Sequence, residues 1–153
     1  MNQINISRLL HNFSLFTIGF LLLILTSVVS ADFSRDGDIV RDSVTGLEWQ
    51  DDAIGDRIEW RDAIDHCEDY VSLGDHDEWR LPNINELKTI IDRSRTNPAI
   101  VSTFEHTSSG NYWSSTTSED YHERAWRVGF NNGFVDYKSK SNSYRIRCVR
   151  DGD

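Results

Sequence analysis

The chain has 153 residues, with 25 Asp and Glu against 16 Lys and Arg, giving a formal net charge of −9. A surface of that sign repels nucleic acid and other polyanions as a whole, so neither is expected as a partner. With 38% hydrophobic and 11% aromatic residues there is apolar material for one core, and the length fits one domain.

The N-terminus reads apart from the rest. Arg8 and His11 precede an apolar run from Phe13 to Val29, and Val29-Ser30-Ala31 supplies small residues before Asp32. A charged start, an apolar stretch and a small-residue site predict a secretory signal peptide over residues 1–31. The alternative is a retained anchor, since about 18 or more apolar residues can span a bilayer. A domain is then expected over residues 32–153, which keep all 25 acids and 15 of the 16 bases, a net charge of −10. No second apolar run is present, so no membrane span is expected once the signal is removed. The protein is expected in the periplasm, at the cell surface or secreted.

Within the domain, Asp36-Gly37-Asp38 marks a turn, and Ile39–Asp42 and Leu47–Trp49 flank Thr45-Gly46 as a small hairpin. Asp51, Asp52 and Asp56 surround Gly55 in a loop. Asp-rich loops can hold calcium, but the fixed EF-hand spacing is missing and a solvated turn is the expectation. Glu59 to Val71 reads as a helix, with Trp60, Ala63, Ile64, Cys67 and Val71 on one apolar face and Gly74 as its C-cap.

The stretch around which the domain is organised is Trp79-Arg80-Leu81-Pro82-Asn83-Ile84-Asn85-Glu86-Leu87. Pro82 forces Leu81 to arrive extended, and Asn83 with Glu86 three residues later forms a capping box. Leu87, Ile90 and Ile91 then predict a second helix from Ile84 to Asp92 or Ser94, broken by Asn97-Pro98. Trp79, Arg80, Leu81, Pro82, Asn83 and Glu86 are therefore read as architecture.

A long irregular segment, 95–110, precedes a strand over Asn111–Thr117. Ala125–Phe130 alternates, with Trp126, Val128 and Phe130 on one face. Asn132-Gly133 predicts a two-residue hairpin loop setting Val135 opposite Phe130 and Tyr137 opposite Val128. Tyr144–Arg150 is the expected last strand, with Tyr144, Ile146 and Cys148 inward and Arg145, Arg147 and Arg150 outward as a small basic patch. Helices early and an antiparallel sheet late, completed by the N-terminal hairpin, make an α+β fold.

Two cysteines, Cys67 and Cys148, in an exported chain predict one disulfide. Free thiols and a metal site are the alternatives, and neither Cys has a second ligand at zinc spacing. No Gly-x-Ser-x-Gly, His-Glu-x-x-His, Cys-x-x-Cys or phosphate-binding glycine loop is present, so no enzyme is expected. A carboxylate pair for glycoside hydrolysis is not singled out among the 25 acids.

Several stretches occur in a fixed order. They are Thr45-Gly46-Leu47-Glu48-Trp49, the Cys67 helix, Trp79-Arg80-Leu81-Pro82-Asn83 with Glu86-Leu87, Tyr112-Trp113-Ser114-Ser115, Ala125-Trp126 to Phe130, and Arg147-Cys148-Val149-Arg150. Together they resemble the bacterial domain family named after the C-terminal domain of the Legionella collagen-like adhesin. That resemblance implies a C-type-lectin-like fold, with two helices packed on a twisted antiparallel sheet and a long loop region. It also implies a disulfide from the first helix to the last strand, where Cys67 and Cys148 lie. In the named adhesin the domain binds sulfated glycosaminoglycans through basic surface, whereas this chain is acidic. The Glu-Pro-Asn and Trp-Asn-Asp signature of calcium-dependent lectins is absent: Leu81 precedes Pro82-Asn83, and Ser114-Ser115 come directly after Trp113. No cofactor is expected, and no motif supports calcium.

The function expected is a non-catalytic, adhesin-like module that recognises a glycan or another surface ligand through the loops leaving the sheet. The residues singled out are Trp113, Glu119, Asp120, Tyr121, His122, Asn131 and Asn132. The alternatives are a protein–protein subunit of a surface or periplasmic assembly and a glycan-active enzyme.

Overall fold

The computed structural model describes residues 32–52 and 55–153. The signal peptide expected over residues 1–31 lies outside the described residues. Among the described residues no helix is long and apolar enough to cross a membrane.

The first strands form where turns permit them. Strands β1 (Phe33–Asp36) and β2 (Ile39–Asp42) fold back over Gly37, which sits at φ +58. Asp42 accepts hydrogen bonds from Val44 N–H and the Thr45 hydroxyl, which holds the turn into β3 (Leu47–Gln50). The expected hairpin is therefore present, with β1 added at its edge. A short β7 (Val149–Asp151) pairs antiparallel with β3, so this sheet has the order β1-β2-β3-β7.

Register explains which side chains this sheet buries. Val40 lies opposite Trp49 and Trp49 opposite Val149, and all three are fully buried. The neighbouring row, Arg41–Glu48–Arg150, faces the other way and is an ion-pair ladder across three strands. Arg147 and Arg150 are buried, so the expected outward basic patch does not exist.

Helix α1 (Trp60–Asp69) buries Ala63 and Cys67 and ends at Asp69, two residues before the expected end at Val71, with Tyr70 as its C-cap. Gly74 is not its cap. It lies in a separate turn closed by reciprocal bonds between Leu73 and His76, at φ +64, where an added Cβ would fall 2.8 Å from Ile39 Cδ1. Cys67 joins Cys148 in a disulfide with a Cα–Cα distance of 5.5 Å, tying α1 to the residue just before β7. Trp79, Leu81, Trp113 and Ala125 pack around it in one of the two apolar clusters.

The Trp79–Leu87 stretch joins the two sheets. Arg80 exchanges two backbone hydrogen bonds with Val149 beside the first sheet, and Pro82 C=O accepts from Ser115 N–H of the second. Helix α2 (Ile84–Thr89) begins in the expected capping box, with Asn83 accepting from Asn85 and Glu86 and the Glu86 carboxylate accepting from Asn83 N–H. The helix stops at Thr89, well before Asp92. Ile90 C=O instead accepts from Val101 N–H, and Asp92 N–H donates to Ala99 C=O, so the returning irregular segment takes over those backbone groups.

Strands β4 (Asn111–Thr117), β5 (Arg124–Gly129) and β6 (Phe134–Ser139) form a second antiparallel sheet in the order β4-β5-β6. Two sheets thus replace the single sheet expected, because the N-terminal hairpin pairs with β7. The hairpin register also differs by two residues, with Val128 opposite Val135 and Trp126 opposite Tyr137. Phe130 is the cause. Its N–H donates to Gly110 and its C=O accepts from Ala99, so it leaves the ladder and lengthens the loop. A shift of two preserves the faces, since side chains alternate with period two.

The expected last strand is likewise divided. Tyr144 pairs with Ile58 and Arg145 with the start of β4, after which Cys148 C=O accepts from Gln50 beside β3. The segment crosses from one sheet to the other. The result is an α+β domain with two helices packed against antiparallel sheets and one disulfide.

Candidate functional site

Helix α2 is six residues long and begins at Thr116, whose hydroxyl accepts from Ile84 N–H, while the chain just after it reaches Gly133, whose C=O accepts from Arg93. The register sets Trp126, Val128, Val135 and Tyr137 on one face of the second sheet. Val128 is buried against Leu87 of α2 in the other apolar cluster, and Val135 packs on it. The Trp126–Tyr137 end of that face lies by the first turn of the helix and stays half-buried beside an open cleft of ≈ 480 Å³. Ile84, Asn85 and Lys88 form one wall and Thr116 to Asp120 another, with Trp126, Val135 and Tyr137 as the floor.

The aromatic end is ordered by its own contacts. Trp126 and Tyr137 meet edge-on at 5.1 Å between ring centroids, and Tyr121 lies 5.7 Å from Tyr137. The Arg124 guanidinium sits 4.5 Å over the Tyr121 ring. Trp126 is held from behind where the β4–β5 ladder loses register: its C=O accepts from the Ser114 hydroxyl at 2.8 Å. Aromatic faces beside hydroxyl, amide and charged groups give a surface that can stack on an apolar ring face and hydrogen-bond its edges.

The sequence-predicted residues fall in three places. Glu119 and Asp120 line the cleft, and Tyr121 stands at its margin, 43% exposed. His122 is exposed on the same connection. Trp113 is fully buried beside the disulfide, and its indole N–H donates to Ile58 C=O, so it has no face to offer a ligand. Asn131 and Asn132 lie at the opposite end of β5, roughly 17 Å away along the strand. They work as turn residues: Asn131 C=O accepts from Asn97 N–H, and the Asn132 side chain accepts from Phe134 N–H.

Trp126, Tyr137, Asn85 and Lys88 were not singled out from sequence. Alternation correctly sets Trp126 and Tyr137 on the core-facing side. The cleft they floor forms where the first turn of α2 meets Thr116, a tertiary contact that no local pattern signals.

Asp51 is a second departure. In place of a solvated turn it is 1% exposed and sits between Arg35 and Arg147, also accepting from Glu105 and His106 N–H. It pins the 104–107 segment against the end of β3. Nearby is another cavity, of ≈ 370 Å³, lined in part by Gln50, Asp52, Asp56 and Arg145. Among the described residues no group of three or more His, Cys, Asp and Glu side chains is placed to hold a metal ion.

A comparison with curated proteins finds no match. The family model of the Lcl C-terminal domain matches residues 38–150, a span from before β2 to within β7 that takes in both helices, the second sheet, the first sheet without β1, and the two bonded cysteines. The chain belongs to the Lcl C-terminal domain family.

Proposed function

We propose that the protein is an exported, non-catalytic binding module that recognises a glycan in the cleft beside α2. One observation carries this reading: the Trp126–Tyr137–Tyr121 cluster lies open beside the first turn of the helix, among Thr116, Ser118, Asn85 and two carboxylates. Pyranose rings present apolar C–H faces with hydroxyls at the rim. An aromatic floor with polar walls complements both parts at little ordering cost, because the floor is already packed from behind. The cleft walls carry Glu119 and Asp120 against Lys88, and the whole chain is at −9. Neutral sugars therefore suit it better than sulfated ones.

A glycan array probed with the purified protein tests the reading, in calcium and in chelator, at low and physiological salt. A salt-resistant signal on neutral glycans is expected, with the chelator arm unchanged. A blank array with folded, disulfide-bonded protein would overturn it and turn attention to a protein partner.

A further inference from the structure

The cavity beside Gln50, Asp52, Gly55 and Asp56 has charges of both signs that do not meet. Asp52, Asp56 and Arg145 all line it, together with Gln50 and an apolar floor of Ile58 and Ile146. Among the described residues Arg145 forms no ion pair, and neither do Asp52 and Asp56. Residues 1–31 and 53–54 contain no Asp or Glu, so they hold no countercharge for Arg145. The half-buried guanidinium donates from Nη1 to Gly55 C=O at 2.7 Å, while its Nε is buried without a partner.

Arg147 nearby differs in its countercharge. Its Nε likewise has no partner, but its other nitrogens bond Asp51 and the Gln50 and His106 carbonyls, as an enclosed guanidinium requires. A purely structural cavity would let Arg145 close on one of the two carboxylates. Opposite charges held apart across ≈ 370 Å³ instead leave room for a molecule that carries both charges itself. Gln50 uses its side-chain oxygen on Cys148 N–H, which leaves its amide as a further donor.

We infer that this cavity binds a small zwitterion of the α-amino-acid class with an apolar side chain. Its carboxylate meets Arg145 Nη2, its ammonium lies toward Asp52 and Asp56, and its side chain rests on Ile58 and Ile146. The cavity shares no lining residue with the cleft beside α2, so binding here is independent of the glycan reading.

NMR titration of the purified protein with three probes of matched shape tests it: L-leucine, 4-methylpentanoate (carboxylate only) and 3-methylbutylamine (ammonium only). L-leucine is expected to shift the Arg145 Nε–H and the Gly55 and Ile58 amide signals saturably, with each half-probe binding about tenfold more weakly or worse. Asp52→Asn with Asp56→Asn, at positions that are not buried, is expected to abolish the preference for L-leucine over 4-methylpentanoate while the fold is retained. No saturable shift with any probe would overturn the inference. So would a half-probe that binds as tightly as L-leucine, or a preference that survives the double substitution.

Discussion

Asp51 shows how much one side chain can hold. Its carboxylate is the countercharge for Arg147, which is 4% exposed, and for Arg35, and it ties down the backbone at Glu105 and His106. Asp51→Ala leaves Arg147 charged and enclosed without a partner, so a loss of about 3–5 kcal/mol is expected from urea denaturation at unchanged m-value. Nothing local in the sequence reveals this role, because the partners lie 16 and 96 residues away. Asp92 is the opposite case, with purely local partners. Hydrogen bonds from the Ser94 hydroxyl and N–H hold its carboxyl below the usual Asp range. A lowered folded value means the turn's contribution is complete above the ordinary Asp pKa and is lost as pH falls through the lowered one. The Ser94 amide signal is expected to titrate with a midpoint below that of an unperturbed Asp; a midpoint at the ordinary value would contradict the turn.

At the scale of elements, the capping box before α2 was legible because every part lies within four residues. Glu86 does two jobs there: it accepts from Asn83 N–H and grips Arg80 through two bonds of 2.8 and 2.9 Å, which raise the guanidinium pKa further. Glu86→Ala is expected to cost about 2 kcal/mol in chemical denaturation. Glu86→Gln, which keeps an acceptor for the cap and loses the charge, is expected to cost about half of that. The ends of elements were less legible. α2 stops because Ile90 and Asp92 give their backbone groups to Val101 and Ala99. The β5–β6 loop lengthens because Phe130 gives its own to Gly110 and Ala99. Each is a tertiary hydrogen bond overriding a sound local pattern. Half of the cleft was hidden for a like reason, since it forms where Ile84 N–H meets the Thr116 hydroxyl, 32 residues away.

Across the whole molecule the sequence was more informative. Alternation and helical spacing turned Cys67 and Cys148 inward, and they are bonded across 81 residues at the centre of an aromatic cluster. Closing so long a loop restricts the unfolded chain, so replacing both by Ala is expected to lower stability by about 4–5 kcal/mol in denaturant titration. A loss under about 1 kcal/mol would contradict the entropic account. The division into two sheets was not legible, because short strands such as β7 do not announce their partners. Family membership and the α+β architecture were readable from ordered motifs that each fix a local geometry.

The most direct test of the central claim compares wild-type protein with Trp126→Ala on the same glycan array. Trp126 is half-buried at the cleft floor and outside both apolar clusters, so the variant is expected to stay folded with its near-ultraviolet signal largely retained. The account predicts a salt-resistant signal for the wild type that falls by about tenfold or more in the variant. Equal binding by a folded Trp126→Ala protein would contradict it.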